Sequence, residues 1–354
     1  MRQLMFAGPG RVEWAEAVPP RLPDDQAVLV RPLAAARCDL DRPMAAEGLF
    51  PGPFPVGHEV VAEVAEAGDA VWRHSPGDRV LVPFQVSCGT CAACGGQRFA
   101  ACATYRAPAG AAFGFGSAGG GHGGAVADLL AVPHADHMLI PAPAAVPARV
   151  LCTLPDNAVD GYRTVAPHLR ARPDASVLVV GGAAPSVGLY AVAAAVALGA
   201  TEVRYVDSDA ARCGIAERLG AQAEQHAGTW PRRFGRAAVT VCNTDDPDGL
   251  AATLRSTDDY GTCTITAIFF GPQPSLPLLE LYTRGITVHL SRADSRRFAP
   301  EVADLVASGR LRVEEVITEV AAWDDAVDVW LAPATKLVLV RDGGQTARQS
   351  AQLA

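Results

Sequence analysis

The pattern of apolar and polar positions changes near residue 157. Before it, short Val- and Leu-rich runs alternate with Gly and Pro. The predicted strands cover 27–30, 59–64, 79–83 and 125–132. Short strands bounded by turn residues at this spacing are typical of a β-rich, barrel-like domain.

After residue 157, strands and helices alternate. An apolar strand, Val177–Val180, is followed by a Gly-rich turn, a helix over 189–198 and a strand over 202–206 that ends in Asp207. Further strands are predicted over 239–242, 263–269 and 286–290, with a helix near 248–255. This alternation predicts a doubly wound α/β fold with parallel strands and right-handed crossovers.

The stretch 175–201 contains no charged residue and is long enough for a membrane span. It nevertheless contains Gly181, Gly182, Pro185 and Gly188 directly after a β-rich run. We therefore interpret it as a strand, a tight turn and a buried helix.

Composition limits the class of partner. A chain of 354 residues has room for two domains, and a net charge of -8 without Lys or Arg runs argues against nucleic-acid binding. Small molecules are the expected partners. The N-terminus lacks the apolar core of a signal peptide, and the nine cysteines are partly at metal-ligand spacing. These features predict a cytoplasmic protein with reduced thiols.

Four cysteines form the most specific motif of the chain. They are Cys88, Cys91, Cys94 and Cys102, at intervals of 3, 3 and 8 residues. Four thiols so spaced can surround one tetrahedral ion, which is the closed arrangement of a structural zinc. The alternative is disulfides in an exposed loop, which a reducing cytosol disfavours.

A second donor set comes from three separate segments. Cys38, His58 and Asp156 supply a thiolate, an imidazole and a carboxylate, and such a set leaves one position of a catalytic zinc open. Taken alone, His58 is more simply read as a structural histidine. Cys38, Asp156 and the four-cysteine lobe favour the ligand interpretation.

The Gly-rich turn indicates a dinucleotide site. Strand, turn, helix and a strand-end acid 19 residues after Gly188 form the expected unit, although the turn is not Gly-x-Gly-x-x-Gly. Main-chain N–H groups there would hold the pyrophosphate. The candidate cofactor residues are Gly182, Ala183, Pro185, Ser186, Val187 and Gly188. Asp207 should accept bonds from the ribose hydroxyls and repel a 2′-phosphate, which favours NAD over NADP.

Together these motifs resemble the zinc-dependent medium-chain alcohol dehydrogenases, with Asp156 in place of a second cysteine. The resemblance covers about 28–340. It implies a GroES-like catalytic barrel over 1–157 with a structural-zinc lobe at 88–102, a Rossmann NAD-binding domain over 158–291, and a return to the catalytic domain over 292–354. It also implies a homodimer or homotetramer that pairs through the strand at 285–291.

The resemblance assigns roles to further residues. Asp41 would hydrogen-bond the zinc-ligating imidazole, and Glu59 would lie behind the ligands and could approach the metal. The alternative for Glu59 is a buried, Arg-paired structural acid. Arg212 matches a basic residue near the ribose and would allow some use of NADP. With a catalytic zinc at this site, Leu40 and Phe84 would line an apolar substrate pocket; the alternative is that both are core residues.

Leu40 is also the main departure from the family. Relatives usually carry Ser or Thr there to begin a proton relay, and Leu cannot carry a proton; Pro43 and Asp39 also differ from many relatives. The prediction is a two-zinc, NAD(H)-dependent oxidoreductase that interconverts an alcohol and an aldehyde or ketone. One alternative is an NAD(P)H-dependent reductase of a conjugated carbonyl or iminium. The other is a non-catalytic zinc- or nucleotide-binding module.

Overall fold

The computed structural model describes residues 1–271 and 273–341, which form two compact units. The first unit comprises Met1–Asp156, Asp294–Ala307 and the described residues from Ile317 to Arg341. The second comprises Asn157–Ala293 and Ser308–Val316. The chain therefore leaves the first unit twice, after Asp156 and after Ala307, and returns to it each time.

The first pass through unit one is mainly β-structure. Its strands are β1 (Arg2–Gly8), β2 (Arg11–Glu16), β3 (Val28–Ala36), β4 (Phe54–Pro55), β5 (Glu59–Ala67), β6 (Arg79–Val82), β7 (Leu130–Val132) and β8 (Ile140–Pro141). Its short helices are α1 (Asp41–Glu47), α2 (Ala92–Gly95), α3 (Ala135–Met138) and α4 (Ala148–Leu151).

The second unit is an α/β layer. Its helices are α5 (Val159–Ala171), α6 (Pro185–Ala197), α7 (Ala210–Leu219), α8 (Pro247–Ser256) and α9 (Leu278–Thr283). Its strands are β9 (Val177–Val180), β10 (Val203–Asp207), β11 (Gln222–Gln225), β12 (Ala237–Cys242), β13 (Thr257–Ile265) and β14 (Thr287–Leu290). All pair in parallel in the order β11-β10-β9-β12-β13-β14, which confirms the doubly wound sheet.

The return segments complete unit one. They contain α10 (Ser295–Ala307), β15 (Glu319–Ala322), α11 (Ala326–Val329) and β16 (Leu337–Val340). The main sheet runs β15-β16-β3-β5-β6-β8, with β7 also on β3, and a small sheet runs β2-β1-β4. This confirms the β-rich unit. Two buried apolar clusters fill it, one around Leu4, Phe6 and Trp330 and one around the valines of β3, β5 and β6.

Several predicted bounds were wrong. Helix α6 begins at Pro185 rather than 189, because the fixed φ of proline suits the first helical position. Strand β13 begins at Thr257 and ends at Ile265; its polar first residue, Thr257, already pairs with Ala237 of β12. Within 125–132, only Leu130–Val132 is a strand.

The uncharged stretch 175–201 forms β9, a turn and α6, as the turn residues indicated. Among the described residues, none of the helices has the length and apolar character needed to cross a bilayer.

Residues 308–316 differ from the prediction that all of 292–354 returns to the catalytic domain. Arg312 donates to the carbonyls of Arg218 and Leu219 at 2.9 and 3.0 Å, and Glu315 lies 3.4 Å from Arg218. These contacts attach the segment to the end of α7. The boundary between the units at residues 308–316 is therefore set by side-chain contacts, which a local sequence pattern does not predict.

Candidate active site

Strand register brings the second donor set together. In the antiparallel pair β3 and β5, Ala36 lies opposite Glu59, so Cys38 and His58 leave the same edge of the sheet. Asp156 approaches from a π-helical turn over Leu154–Ala158, a distortion often found at functional sites. One ligand atom from each of Cys38, His58, Glu59 and Asp156 lies within 4.8 Å of the others, and all four residues are buried.

The spacing of the donors suits a tetrahedral ion. His58 Nε2 lies 3.3 Å from Asp156 Oδ2, and two such donors on zinc, with bonds of about 2.0–2.2 Å, are separated by about 3.3–3.5 Å. On the far side of the imidazole, Nδ1 is 3.5 Å from Asp41 Oδ1. Asp41 Oδ2 accepts from the backbone N–H of Cys38 at 2.9 Å. Asp41 therefore ties the imidazole to the Cys38 turn and directs Nε2 toward Asp156.

The charges at this site favour a bound cation. Burial raises the pKa of Cys38, and the negative charges of Asp156, Asp41 and Glu59 raise it further. Burial alone lowers the pKa of His58, but Asp41, Asp156 and Glu59 outweigh it and raise the pKa to about 9. Within the described residues, Asp41 Oδ1 and His58 Nδ1 face each other as an ion pair without a hydrogen bond, and Glu59 Oε2 is buried without a hydrogen-bond partner. So many buried acids are costly unless a positive ion compensates them, and these residues therefore fit zinc.

Glu59 is paired with a lysine, not with an arginine as the structural alternative expected. Lys336 Nζ donates to Glu59 Oε1 at 2.7 Å and to the carbonyl of Arg37 at 3.0 Å, and both charged side chains are fully buried. Burial raises the pKa of Glu59, and Lys336 opposes that rise. The strand register explains why Lys336 reaches Glu59, because Val338 of β16 lies opposite Ala36 of β3.

Sequence reasoning missed Lys336, although a signal was present. It is the single lysine of the chain, in which every other basic residue counted among the 30 Lys and Arg is arginine. A lone lysine directly before a buried strand indicates a position where a compact ammonium is needed instead of a guanidinium.

Aromatic side chains surround His58. The rings of Phe84 and Phe115 lie 5.2 and 4.9 Å from the imidazole, between centroids, and Phe50 lies 5.8 Å from Phe115. Leu40 packs against the same apolar cluster. Leu40 and Phe84 were predicted here, whereas Phe50 and Phe115 were missed, because no local motif marks Phe115 and Phe50 joins the wall through its contact with Phe115. An apolar wall strengthens the electrostatic interactions of the donors.

The four cysteines converge in a separate lobe. Their Sγ atoms lie 3.5 Å apart for Cys91 and Cys94, 3.6 Å for Cys88 and Cys102, and 4.0 Å for Cys91 and Cys102. Tetrahedral thiolates with Zn–S bonds of about 2.3 Å lie about 3.8 Å apart. None of the four forms a disulfide in this structure, which favours the metal alternative over the disulfide one.

Hydrogen bonds prepare the lobe for a metal. Burial raises the pKa of Cys88, but bonds from Thr104 and Thr90 and from the backbone lower it to about 5. The N–H groups of Cys91 and Ala103 point at Sγ atoms at 3.4 Å. Such donors stabilise thiolates, which are the metal-binding form.

The glycine turn between β9 and α6 is closely packed. Gly182 has φ +147°, and a Cβ there would lie 2.8 Å from the Cα of Thr244. A Cβ on Gly188 would lie 3.0 Å from Asn243 Oδ1. Ala183 is exposed at the turn, and α6 has no side-chain cap at its N-terminus. The arrangement suits an anion bound by main chain at the start of a long helix.

Two further turn residues face inward. Ser186 Oγ donates to Asn157 Oδ1 at 3.0 Å, and Ser186 and Val187 are buried in the first turn of α6 with Pro185 before them. Asn157 was not predicted. Its neighbour in sequence is Asp156, so the candidate ligand and the helix contact share one short segment.

Asp207 lies at the end of β10, where the motif placed it, but its carboxylate is already engaged. It accepts from Tyr205 Oη at 2.6 Å, from Arg212 Nε and Nη2 at 2.8 and 2.6 Å, and from the N–H of Asp209 at 2.9 Å. These four bonds use the usual acceptor capacity of a carboxylate. Arg212 therefore offsets its charge, and Tyr205 was not predicted.

The fold and site define a zinc-type dehydrogenase. The alcohol dehydrogenase GroES-like domain model matches residues 24–144. "Probable zinc-binding alcohol dehydrogenase Rv1895" of Mycobacterium tuberculosis is 30% identical over 334 residues, covering 92% of this chain and 83% of that protein. A glutathione-independent formaldehyde dehydrogenase of Pseudomonas aeruginosa is 35% identical over 236 residues, covering 62% of this chain and 57% of that protein.

Among solved structures, alcohol dehydrogenase TADH from Thermus sp. ATN1 superposes with a TM-score of 0.87 at 26% identity, covering 96% of this chain and all of that one. The chain belongs to the zinc-dependent medium-chain alcohol dehydrogenase family. It is therefore a zinc-type, alcohol-dehydrogenase-like oxidoreductase.

Proposed function

We propose that this protein interconverts an alcohol and an aldehyde or ketone with NAD(H), using a zinc held by Cys38, His58 and Asp156. One observation carries the proposal: donors from three remote segments lie within 4.8 Å of one another, in a buried and strongly acidic site. A second zinc would occupy the four-cysteine lobe, where it would be structural.

When bound, the metal would act as a Lewis acid toward the substrate oxygen, and the nicotinamide would exchange the hydride. The chain's own residues prepare the site for both. Asp41 orients His58. The rings of Phe84 and Phe115 exclude water beside the imidazole. Lys336 holds Glu59 by one oxygen and so keeps that carboxylate from crowding the ligands.

Proton movement is where this chain differs from its relatives. Leu40 packs against apolar residues and offers no hydroxyl. In alcohol oxidation the substrate oxygen must lose a proton, so we propose that water replaces the usual side-chain relay. The same observation favours the second candidate, reduction of a conjugated carbonyl or iminium, in which a hydroxyl relay matters less.

We propose NAD(H) as the preferred cofactor because Asp207 ends strand β10, the position from which a carboxylate would repel a 2′-phosphate. Arg212 pairs with that carboxylate through two nitrogens, which reduces the repulsion and would permit slower use of NADP. The ratio of kcat/KM for the two cofactors tests this. Asp207→Asn should move the ratio toward NADP, and an unchanged ratio would contradict the assignment.

We also propose that the protein is a homodimer or homotetramer. Strand β14 is the edge of the six-stranded sheet and all four of its residues are exposed, with Leu290 at 72%. Tyr282 and Leu279 nearby are also exposed. An unprotected apolar edge is an unfavourable surface for a monomer.

Metal analysis combined with steady-state assays tests the function. We expect two zincs per chain and hydride transfer between NAD(H) and simple alcohols or aldehydes. Cys38→Ser should remove one zinc and the activity while NAD binding persists. Cys213→Ser, a buried cysteine outside both donor sets, is the matched control. Turnover of enals without turnover of alcohols would favour the reductase, and an active Cys38→Ser enzyme would refute the site.

A further inference from the structure

A cavity of about 330 Å³ lies in the first unit, apart from both donor sets. It is bounded by the loop after β5, by helix α3 and strand β8, and by the first turns of α10. Arg73, His74 and Arg296 contribute cationic or titratable groups to its wall, and Leu139 and Ile140 contribute an apolar surface. None of these residues has a role in the proposed chemistry.

The two arginines lack a carboxylate partner. Within residues 1–271 and 273–341, neither Arg73 nor Arg296 forms an ion pair. The one acid of the wall, Asp136, accepts instead from the N–H groups of Trp72 and Arg73, at 3.2 and 2.9 Å. Its carboxylate is thus used to shape the loop. The cavity keeps an excess of positive charge.

Arg296 is held in place at this wall. Its Nε donates to the carbonyl of His137 at 2.6 Å, which fixes the guanidinium. Burial lowers the pKa of Arg296, and the nearby charge of Arg73 lowers it further. Arg296 is therefore a partly buried cation on the same cavity wall as the exposed Arg73, and an anion between the two would reduce their repulsion.

His74 supplies a further polar group. Only 6% of it is exposed, it lines the cavity, and no hydrogen bond to its ring occurs among the described residues. A ligand in the cavity could form a hydrogen bond with this ring in place of water. Asp136 and Asp78 are the acids that act on this ring, and Arg73 and Arg296 are the cations.

We propose that this cavity binds a phosphate group, carried by a small organic molecule whose body lies against Leu139 and Ile140. Guanidinium groups match phosphate oxygens in pairs, and His74 adds a further donor. The volume is in the range of small-molecule sites and exceeds what inorganic phosphate alone would fill. The exposed Trp72, next to Arg73, provides a local reporter.

Calorimetric titration of the zinc-loaded protein in phosphate-free buffer at constant ionic strength tests the proposal. The probes are phenyl phosphate, inorganic phosphate and benzoate, with tryptophan fluorescence followed in parallel. Phenyl phosphate should bind with one site per chain, more tightly than either other probe. Arg296→Ala and Arg73→Ala should each weaken it at least tenfold, and His74→Gln about threefold.

Arg297→Ala is the matched control, because Arg297 is an exposed cation on the same helix and does not line the cavity. It should leave the affinity unchanged. Zinc content and oxidoreductase activity report folding, and Arg73 is exposed, so its variant remains informative if Arg296→Ala fails to fold. Absence of saturable binding, equal affinity for benzoate, or an equal loss in Arg297→Ala would overturn the proposal.

Discussion

Lys336→Met removes the ammonium that faces Glu59 at 2.7 Å and leaves a buried carboxylate uncompensated. Breaking a buried pair by removing one partner costs about 3–5 kcal/mol. Part of that cost, about 1–3 kcal/mol, is the carbonyl of Arg37 left without its donor. For a domain of 150–250 residues the total corresponds to a fall in Tm of about 6–20 °C.

The double variant Glu59→Gln/Lys336→Met separates charge from packing. It removes both charges at nearly constant volume, so we expect it to cost only about 1–2 kcal/mol, which is less than the single lysine variant. Lys336→Arg keeps the charge but must fit a larger planar group into a fully buried site, so an intermediate loss is expected.

Thermal and urea unfolding, followed by circular dichroism on zinc-loaded and chelator-treated protein, measure these differences. The loss in Lys336→Met should be larger after chelation, because a metal beside Glu59 would supply part of the missing positive charge. The reasoning is refuted if Lys336→Met costs less than about 1 kcal/mol, or if the double variant loses the sum of the two single losses.

Three further predictions concern other parts of the chain. Cys94→Ser should lower zinc by one per chain in metal analysis, whereas Cys213→Ser should retain full zinc. Burial and the charge of His289 lower the pKa of His168 to about 4, so its contribution to stability is complete above about pH 6.5 and is lost as pH falls toward 4. Thermal melts of His168→Gln should therefore depend less on pH over this window, and an identical dependence would contradict the assignment. Leu290→Lys should dissociate the oligomer in sedimentation velocity, whereas Val320→Lys, an exposed strand residue of the other unit, should not.

Local sequence patterns predicted the four-cysteine cluster and the parallel sheet. The cysteine intervals are short enough that chain geometry alone allows one ion to be surrounded, and the Sγ distances agree with that arrangement. The alternating strands and helices likewise predicted the parallel sheet. Strand ends were less predictable, because residues such as Thr257 pair in the sheet through backbone groups that their polar side chains do not reveal.

By itself, the sequence determined the two donor sets, the fold class and the position of the dinucleotide turn, because spacing and hydrophobic period are properties of the chain. Only the tertiary structure decided which residues that are remote in sequence come into contact. The register of β16 against β3 brings Lys336 to Glu59, and chain folding brings Phe115 to His58. Only the tertiary structure likewise shows that the Asp207 carboxylate is already fully hydrogen-bonded, and that the charge of Arg73 acts on Arg296. Such contacts depend on distances between remote segments, and the order of residues along the chain does not specify those distances.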